Sequence, residues 1–380
     1  MRQFIYLDNS ATTAPCQKTI QNINVALSDF WGNPSSLYDI GFRAQMLVED
    51  TRKEVSKLLK CREDEIYFTG SGTEGNNTAI LGAVYSRKKR GKRIVTTTIE
   101  HPSVLETIKR LEEEGFEVVY LKPQANGEIS ADDLKHAINK DTIFVSIMLV
   151  NNETGAIQPV KAAAEAIKTA SSPALLHTDG VQAFGKMPIN IQELGVDLFT
   201  ASGHKIHGPK GIGVLYIRKG VTIKPLITGG GQEKNMRSGT ESVPLIYGLK
   251  GAIDSLGNIN ELAKRQKELW LYAADVLQGT NLVKVNSSDT VLPYILNISV
   301  EGYRSETLLH FLEAEGIYVS SGSACAKGEG SYVLKEMGLS RNRVDSALRI
   351  SFSRNNTKED IDALKAALIT ATQKLRRSIK

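Results

Sequence analysis

Four stretches of the chain combine reactive residue types with surroundings that ordinary packing does not require. "TASGHKIHGPKGIG" (200–213) sets Lys205 between two histidines in a Gly-rich turn that follows a strand-like run. An amine among Ser, Gly and His, rather than among solvent-facing charges, is placed to form a Schiff base with a carbonyl. "LLHTDGVQAFG" (175–185) ends another strand-like run with Asp179, followed by Gln182. "TGSGTEGNNTAI" (69–80) puts glycines and small hydroxyls before a helical pattern, where free backbone N–H groups suit a phosphate. Finally, "SSGSACAKGEG" (320–330) carries Cys325 with no bulky neighbour to pack against, although a structural cysteine behaves as a small hydrophobe.

Taken alone, Gly70–Gly75 is a literal GxGxxG and admits a dinucleotide reading, with Glu100 as the ribose-binding acid, or no more than a Gly-rich turn. The lysine and the aspartate decide between these. A carboxylate at a strand's C-terminal end can keep a pyridinium nitrogen protonated, which pyridoxal phosphate needs to act as an electron sink. Phosphate cup, lysine and strand-end aspartate together describe a pyridoxal-phosphate site; a nicotinamide enzyme has no use for the last two.

These residues need a scaffold, and the pattern supplies one. Helical spacing in 43–60 aligns Ala44, Leu47, Val48, Thr51, Val55, Leu58 and Leu59. Strand-like runs recur between helical stretches at 65–69, 93–99, 117–122, 142–150, 174–179, 197–202 and 213–219. Near-continuous Val/Ile/Leu runs alternating with helices predict an α/β fold with a large, mostly parallel sheet covered on both faces. After residue 250 a charged helix leads to shorter strands at 294–300 and 347–353, and Thr357 with Asp360 forms a capping pattern for the last helix. The expected division is a large domain over 14–250 and a smaller α+β domain from 1–13 and 251–380, the latter bearing the cysteine loop at about 321–332.

Bulk properties exclude several classes. Basic residues outnumber acidic ones by only 47 to 42, too small an excess for a nucleic-acid footprint, and they cluster only at 86–93 and in the tail. Cys16, Cys61 and Cys325 are far apart with no CxxC pair, so neither a disulfide framework nor a fixed metal site is expected, and a reducing cytoplasm fits. The start "MRQFIYLDNSATT" has no apolar core of signal-peptide length. The longest apolar run, 143–150, falls far short of the roughly 20 residues that cross a bilayer.

Ten motifs then occur in order: "YLDNSATT" (6–13), "GNPSS" (32–36), "SGTEGNN" (71–77), "EHPSV" (100–104), "NNETG" (151–155), "HTDGVQ" (177–182), "SGHKIHGPKGIG" (202–213), "GGGQEKNMRSGT" (229–240), "SSGSAC" (320–325) and "LRISFSRNNT" (348–357). Over nearly the whole chain they resemble the cysteine desulfurases, in the class V aminotransferase-like group of fold-type I pyridoxal-phosphate enzymes. The resemblance implies that L-cysteine is converted to L-alanine, its sulfur captured as a persulfide on Cys325 and passed to an acceptor protein, such as an iron–sulfur scaffold, for iron–sulfur cluster assembly or thio-modification. It casts Lys205 as the cofactor-binding lysine and later base, and His101 as the histidine stacked over the ring. Gly72, Thr73, Ser202 and His204 would bind the phosphate, Asp179 the ring nitrogen, and Gln182 and Asn152 the ring's hydroxyl side. Thr240 would reach the phosphate of a neighbouring subunit, which implies a homodimer. Arg349 would grip the substrate carboxylate bidentately, assisted by Asn33. Cys325 would also be able to ligate an iron–sulfur cluster transiently.

One thiol that must meet the substrate and then an acceptor calls for a tether with backbone freedom, and Gly322, Gly328 and Gly330 provide it in sequence. Lys327 would favour the thiolate electrostatically. "CAKGEGSYVL" is shorter and more charged than in many long-loop members of the family, which leaves the acceptor open. A selenocysteine lyase, another class V lyase or transaminase, and a non-enzymatic sulfur-carrier subunit remain as alternatives. "SSGSAC" argues against the transaminase, and the intact Lys205, His101 and Asp179 against the carrier.

Overall fold

The computed structural model describes residues 4–322 and 330–378, so Cys325, Lys327 and Gly328 lie outside the described residues. The chain opens with β1 (Ile5–Tyr6), α1 (Gln17–Asp29), α2 (Asp39–Leu59), β2 (Ile66–Thr69), α3 (Gly72–Arg87) and β3 (Arg93–Thr97). It continues with α4 (Pro102–Glu113), β4 (Glu117–Leu121), α5 (Ala131–Ala137), β5 (Thr142–Ser146), α6 (Val160–Thr169), β6 (Leu175–Asp179), α7 (Ile191–Leu194), β7 (Leu198–Ser202) and β8 (Gly213–Ile217). The last third adds α8 (Val243–Asp254), α9 (Ile259–Gln278), β9 (Lys284–Val285), β10 (Ile295–Ser299), α10 (Ser305–Ala314) and β11 (Ile317–Tyr318). After the cysteine segment come α11 (Tyr332–Glu336), α12 (Arg341–Asp345), β12 (Ala347–Ser351) and α13 (Lys358–Lys374).

The main sheet has the order β2-β8-β7-β6-β5-β3-β4. β8 runs antiparallel to both its neighbours and every other adjacent pair is parallel. Alternation along the strands divides their apolar side chains between two faces. Ile94, Phe144, Leu198 and Leu215 pack with Ile80 and Val84 of α3 on one face. Val95, Val145, Phe199 and Val214 pack with Val48 and Val55 of α2 and Leu249 of α8 on the other. This two-sided burial explains why the strand sequences read as continuous apolar runs.

A second core gathers Leu7, Trp270, Ile298, Leu308, Ile350 and Leu364. Its sheet is antiparallel β12-β10-β9, and β1 pairs in parallel with β11, so the first described residues join elements more than 300 positions away. The capping pattern read from sequence is present: Thr357 and Asp360 form a reciprocal capping box on α13. Among the described residues no helix is long and apolar enough to cross a membrane.

The apolar run 142–150, which reads as one strand, splits in a way that matters to the site. Regular pairing ends at Ser146, although Ile147 and Leu149 still donate to the carbonyls of His177 and Asp179. On the other side β3 has already ended, and the Glu100 carboxylate accepts the Met148 N–H in its place, at 2.9 Å. The backbone is thus free to turn at 151–155 and deliver Asn152 to the carboxyl edge of the sheet.

Gly180, directly after Asp179, holds β6 against β7: a Cβ there would lie 1.8 Å from Cζ of the fully buried Phe199. Gly180→Ala is expected to lower stability by about 3 kcal/mol, the upper end for overpacking, read as a fall in the urea midpoint at unchanged m-value.

Candidate active site

Parallel sheets bind ligands in the crevice beyond the carboxyl ends of their strands, and the described chain has a cavity of about 300 Å³ there. β6 ends on Asp179 and β7 on Ser202, and the turns after β2 and β3 bring Gly72 and His101 to the same rim. A larger cavity, about 640 Å³, lies by Arg304, Glu306, Arg341 and Asp345, but its described lining contains none of the predicted catalytic or cofactor residues.

Lys205 follows β7 in a single 3₁₀ turn, Gly203–Lys205. Its Nζ donates to the carbonyls of Ser10 and Ala11, the latter at 2.8 Å. The N-terminal segment is secured there by Thr13, whose N–H and hydroxyl both donate to the His204 carbonyl. Burial, and then the nearby Arg349 guanidinium, bring the Lys205 amine down to about 8, against the opposing pull of Asp8 and Asp179. An amine depressed in this way is neutral, and therefore nucleophilic, at a far lower pH than an exposed lysine.

Asp179 is fixed through both carboxylate oxygens. Oδ1 accepts from the Val181 N–H at 2.9 Å and Oδ2 from Asn76 Nδ2 at 2.7 Å. His101 caps α4, its Nδ1 accepting the Ser103 N–H at 3.1 Å. Burial, with Lys205 adding to it and Asp179 opposing, holds the imidazole below its ordinary range. Glu100, the ribose acid of the dinucleotide reading, is fully buried and accepts from Thr97 and Met148, so it does not face the cavity as that reading requires.

The phosphate end is built by α3. Ser71 takes the N–H of Glu74 with its side chain and that of Gly75 with its carbonyl. The N–H groups of Gly72 and Thr73, in the first turn, have no intrahelical acceptor. A Cβ on Gly72 would sit 2.9 Å from Val181 Cγ2, so the glycine lets the helix end lie close. Ser202 and His204 line the same cavity, and burial with nearby lysines lowers His204 to about 4.

These residues suit pyridoxal phosphate on structural grounds. Asn152 and Ser10 line the cavity, and their Oδ1 and Oγ atoms are buried without a hydrogen-bond partner among the described residues. A neutralisable amine, a fixed carboxylate and a helix N-terminus match the cofactor's aldehyde, ring nitrogen and phosphate. Gln182 donates to the Ser10 carbonyl at 3.0 Å while its Oε1 accepts from Lys186 Nζ at 3.2 Å.

Arg349 is buried in β12; Nη2 meets Asp8 at 2.7 Å and Nη1 the Asn152 carbonyl at 3.0 Å. Its Nε is buried with no hydrogen-bond partner among the described residues, and the residue lines the cavity. Asn33 and Thr240 are exposed and do not line the cavity in the single chain. Cys325 is outside the described residues, but both flanks of its segment reach this site. Ser320 exchanges both backbone hydrogen bonds with Arg349, and the Tyr332 hydroxyl donates to the Glu100 carbonyl.

Sequence reasoning missed Asp8, Asn76, Ser103 and Lys186. Asp8 and Asn76 stand inside motifs quoted for other residues, and Ser103 is two positions after His101. Lys186 carries no motif signal; only its complete burial marks it.

A model of the aminotransferase class-V family matches residues 5–364. The chain is 41% identical over 376 residues to the cysteine desulfurase IscS of Methanosarcina thermophila, covering 98% of this chain and 93% of that protein. A solved NifS-like protein superposes with a TM-score of 0.93 at 36% identity, over 98% of this chain and all of that one. A structure described as SspA in complex with cysteine gives 0.82 at 32% identity, over 92% and 98% of the two chains.

Two buried lysines set a pH dependence. Unfolded, both keep their protons to about pH 10; folded, Lys186 gives its proton up at about 7 and Lys205 at about 8. Over that range each lysine binds its proton more tightly in the unfolded chain and so adds stability to the cofactor-free protein as pH rises. Glu100, which burial pushes up to about 8, opposes them below about pH 8, and Cys61, pushed up to about 12 by burial, opposes them above about pH 9. Lys186→Met is expected to remove its share of that gain, measured as urea midpoints across the window; an unaltered slope would show that Lys186 stays protonated when folded.

Proposed function

The chain belongs to the class-V aminotransferase family, and on that premise we propose that it is a pyridoxal-phosphate-dependent cysteine desulfurase working through the cavity at the ends of β6 and β7. The observation that carries this reading is the convergence of the depressed Lys205 amine and the Asp179 carboxylate on one cavity closed by the N-terminus of α3. Bound there, the cofactor supplies an electron sink that weakens the carbon–sulfur bond of L-cysteine.

In this reading the N–H groups of Gly72 and Thr73, with Ser202 and His204, hold the phosphate. Asp179 holds the ring nitrogen, and Asn152 and Gln182 the ring's oxygen side. Lys205 would hold the cofactor covalently through Nζ, and the same amine would move a proton on the substrate. His101 flanks the ring and shares the proton traffic. Arg349 takes the substrate carboxylate, with Asn33 assisting.

The Cys325 thiolate forms a sulfur–sulfur bond to the substrate as the carbon–sulfur bond breaks. The electron pair of that bond stays with carbon, which takes up a proton and leaves as alanine, and the sulfur remains on Cys325 as a persulfide. Transfer to an acceptor protein, such as an iron–sulfur scaffold, completes the cycle. A reducing cytoplasm suits this chemistry and the free Cys16 and Cys61.

In this reading the division into a 14–250 domain and a smaller domain from 1–13 and 251–380 assigns the substrate arginine to the second body and the cofactor residues to the first. A homodimer is supported by exposed Trp31, Leu37, Phe42 and Met46, which form an apolar group on and before α2. Thr240 would then enter the partner's phosphate site.

The holoenzyme is expected to absorb near the visible edge and to lose that band on borohydride reduction, with the label on Lys205. Cys325→Ser should keep the band yet release sulfide from L-cysteine at least about a hundredfold more slowly; full turnover by this variant would overturn the persulfide step. Phe42→Asp is expected to halve the sedimenting mass and weaken cofactor retention, whereas a wild-type protein that sediments as a monomer would remove Thr240 from the site.

A further inference from the structure

Asp179 and His101 are joined by side chains that the assigned roles leave unused. Asn76, buried on α3, donates from Nδ2 to Asp179 Oδ2 at 2.7 Å and to Ser103 Oγ at 2.9 Å. Both N–H bonds of its amide are thereby used. Ser103 Oγ lies 2.8 Å from His101 Nδ1, and the Ser103 backbone N–H points at the same nitrogen from 3.1 Å.

Proton counting gives this chain a direction. A backbone N–H can only donate, so His101 Nδ1 must be an acceptor. Ser103 Oγ receives a hydrogen from Asn76, and its own hydrogen is free to go to Nδ1. The hydrogen of a neutral imidazole is then left on Nε2. We propose that Asn76 and Ser103 are positioning residues that hold His101 as the neutral Nε2–H tautomer and tie it to the carboxylate of Asp179.

The coupling has a chemical consequence. A ring hydrogen fixed on Nε2 is on the nitrogen away from the α4 cap, where His101 can give or take a proton. Protonating Nδ1 would turn a ring N–H against the Ser103 N–H and force the serine hydroxyl to accept twice. The charged groups facing His101 are Asp179 at the end of β6, which favours the imidazolium, and Lys205 after β7, which opposes it. Glu100, its chain neighbour, is buried against Thr97 and Met148. Hydrogen bonding to Nδ1 therefore acts with burial and against Asp179.

The test uses ¹⁵N-histidine-labelled full-length protein without substrate, with His101→Gln identifying its signals among the six histidines. Long-range ¹H–¹⁵N spectra are expected to show His101 as the Nε2–H tautomer. Ser103→Ala, which keeps the backbone N–H on Nδ1 and removes only the hydroxyl donor, should raise its titration midpoint by about half a pH unit or more. Ser103→Thr, which keeps the hydroxyl, should restore the wild-type pattern. Asn76→Leu should shift the midpoint the same way, because the serine oxygen could then accept from Nδ1 without having to accept twice. Wild-type His101 with its hydrogen on Nδ1, or a Ser103→Ala spectrum identical to wild type, would overturn the proposal. The proposal rests on His101 being catalytic only for its functional meaning: the spectra need no turnover, so its failure and a failure of the desulfurase reading are separately visible.

Discussion

The contact between the Lys205 amine and the carbonyls of Ser10 and Ala11 sets the terms for the rest of the site. A lysine at the carboxyl edge of a parallel sheet loses most of its water, and the ammonium form must be compensated or surrendered. Two carbonyls compensate it in part, while Arg349 and burial push the other way, and the balance falls at about 8. That amine can be held as a cation at rest and released as a nucleophile with little cost. The N-terminal segment that supplies these carbonyls is itself anchored by pairing with β11 and by a bridge from Asp8 to Ser351 of β12.

The other buried charges follow the same logic, each satisfied by a partner remote in sequence. Asp179 relies on Asn76 of α3, and Arg349 on Asp8. Among the described residues Lys186 has only Gln182 and the face of Tyr294, and it is the least compensated of the group. Partly satisfied polar networks cost stability, and among the described residues Asn152 Oδ1, Ser10 Oγ and Arg349 Nε are buried without a hydrogen-bond partner, on residues that line the cavity.

Much of this site was legible in the residues themselves. Lys205, Asp179 and the Gly72 turn declare their chemistry by type and local setting, because Schiff-base formation, pyridinium pairing and phosphate binding each demand a particular group after a strand or before a helix. The helix at 39–59 and the central strands were equally readable, since burial on one or both faces leaves a period in the sequence. Asp8 and Ser103 were not readable, because their importance is a distance to something far along the chain. Lys186 was hidden for a related reason: nothing in "VQAFGKMP" distinguishes a buried lysine from a solvated one.

The sequence alone determined the chemical inventory, the α/β class and the resemblance to cysteine desulfurases, since these depend on residue types, spacing and local periodicity. Tertiary structure decided which groups share a cavity, which carboxylate oxygen each donor takes, and which nitrogen of His101 is left to carry a hydrogen. Those are matters of ångströms between segments up to about 340 residues apart. Only the packing of strands and helices fixes such separations, because hydrogen bonds and desolvation act through space and leave no period along the chain.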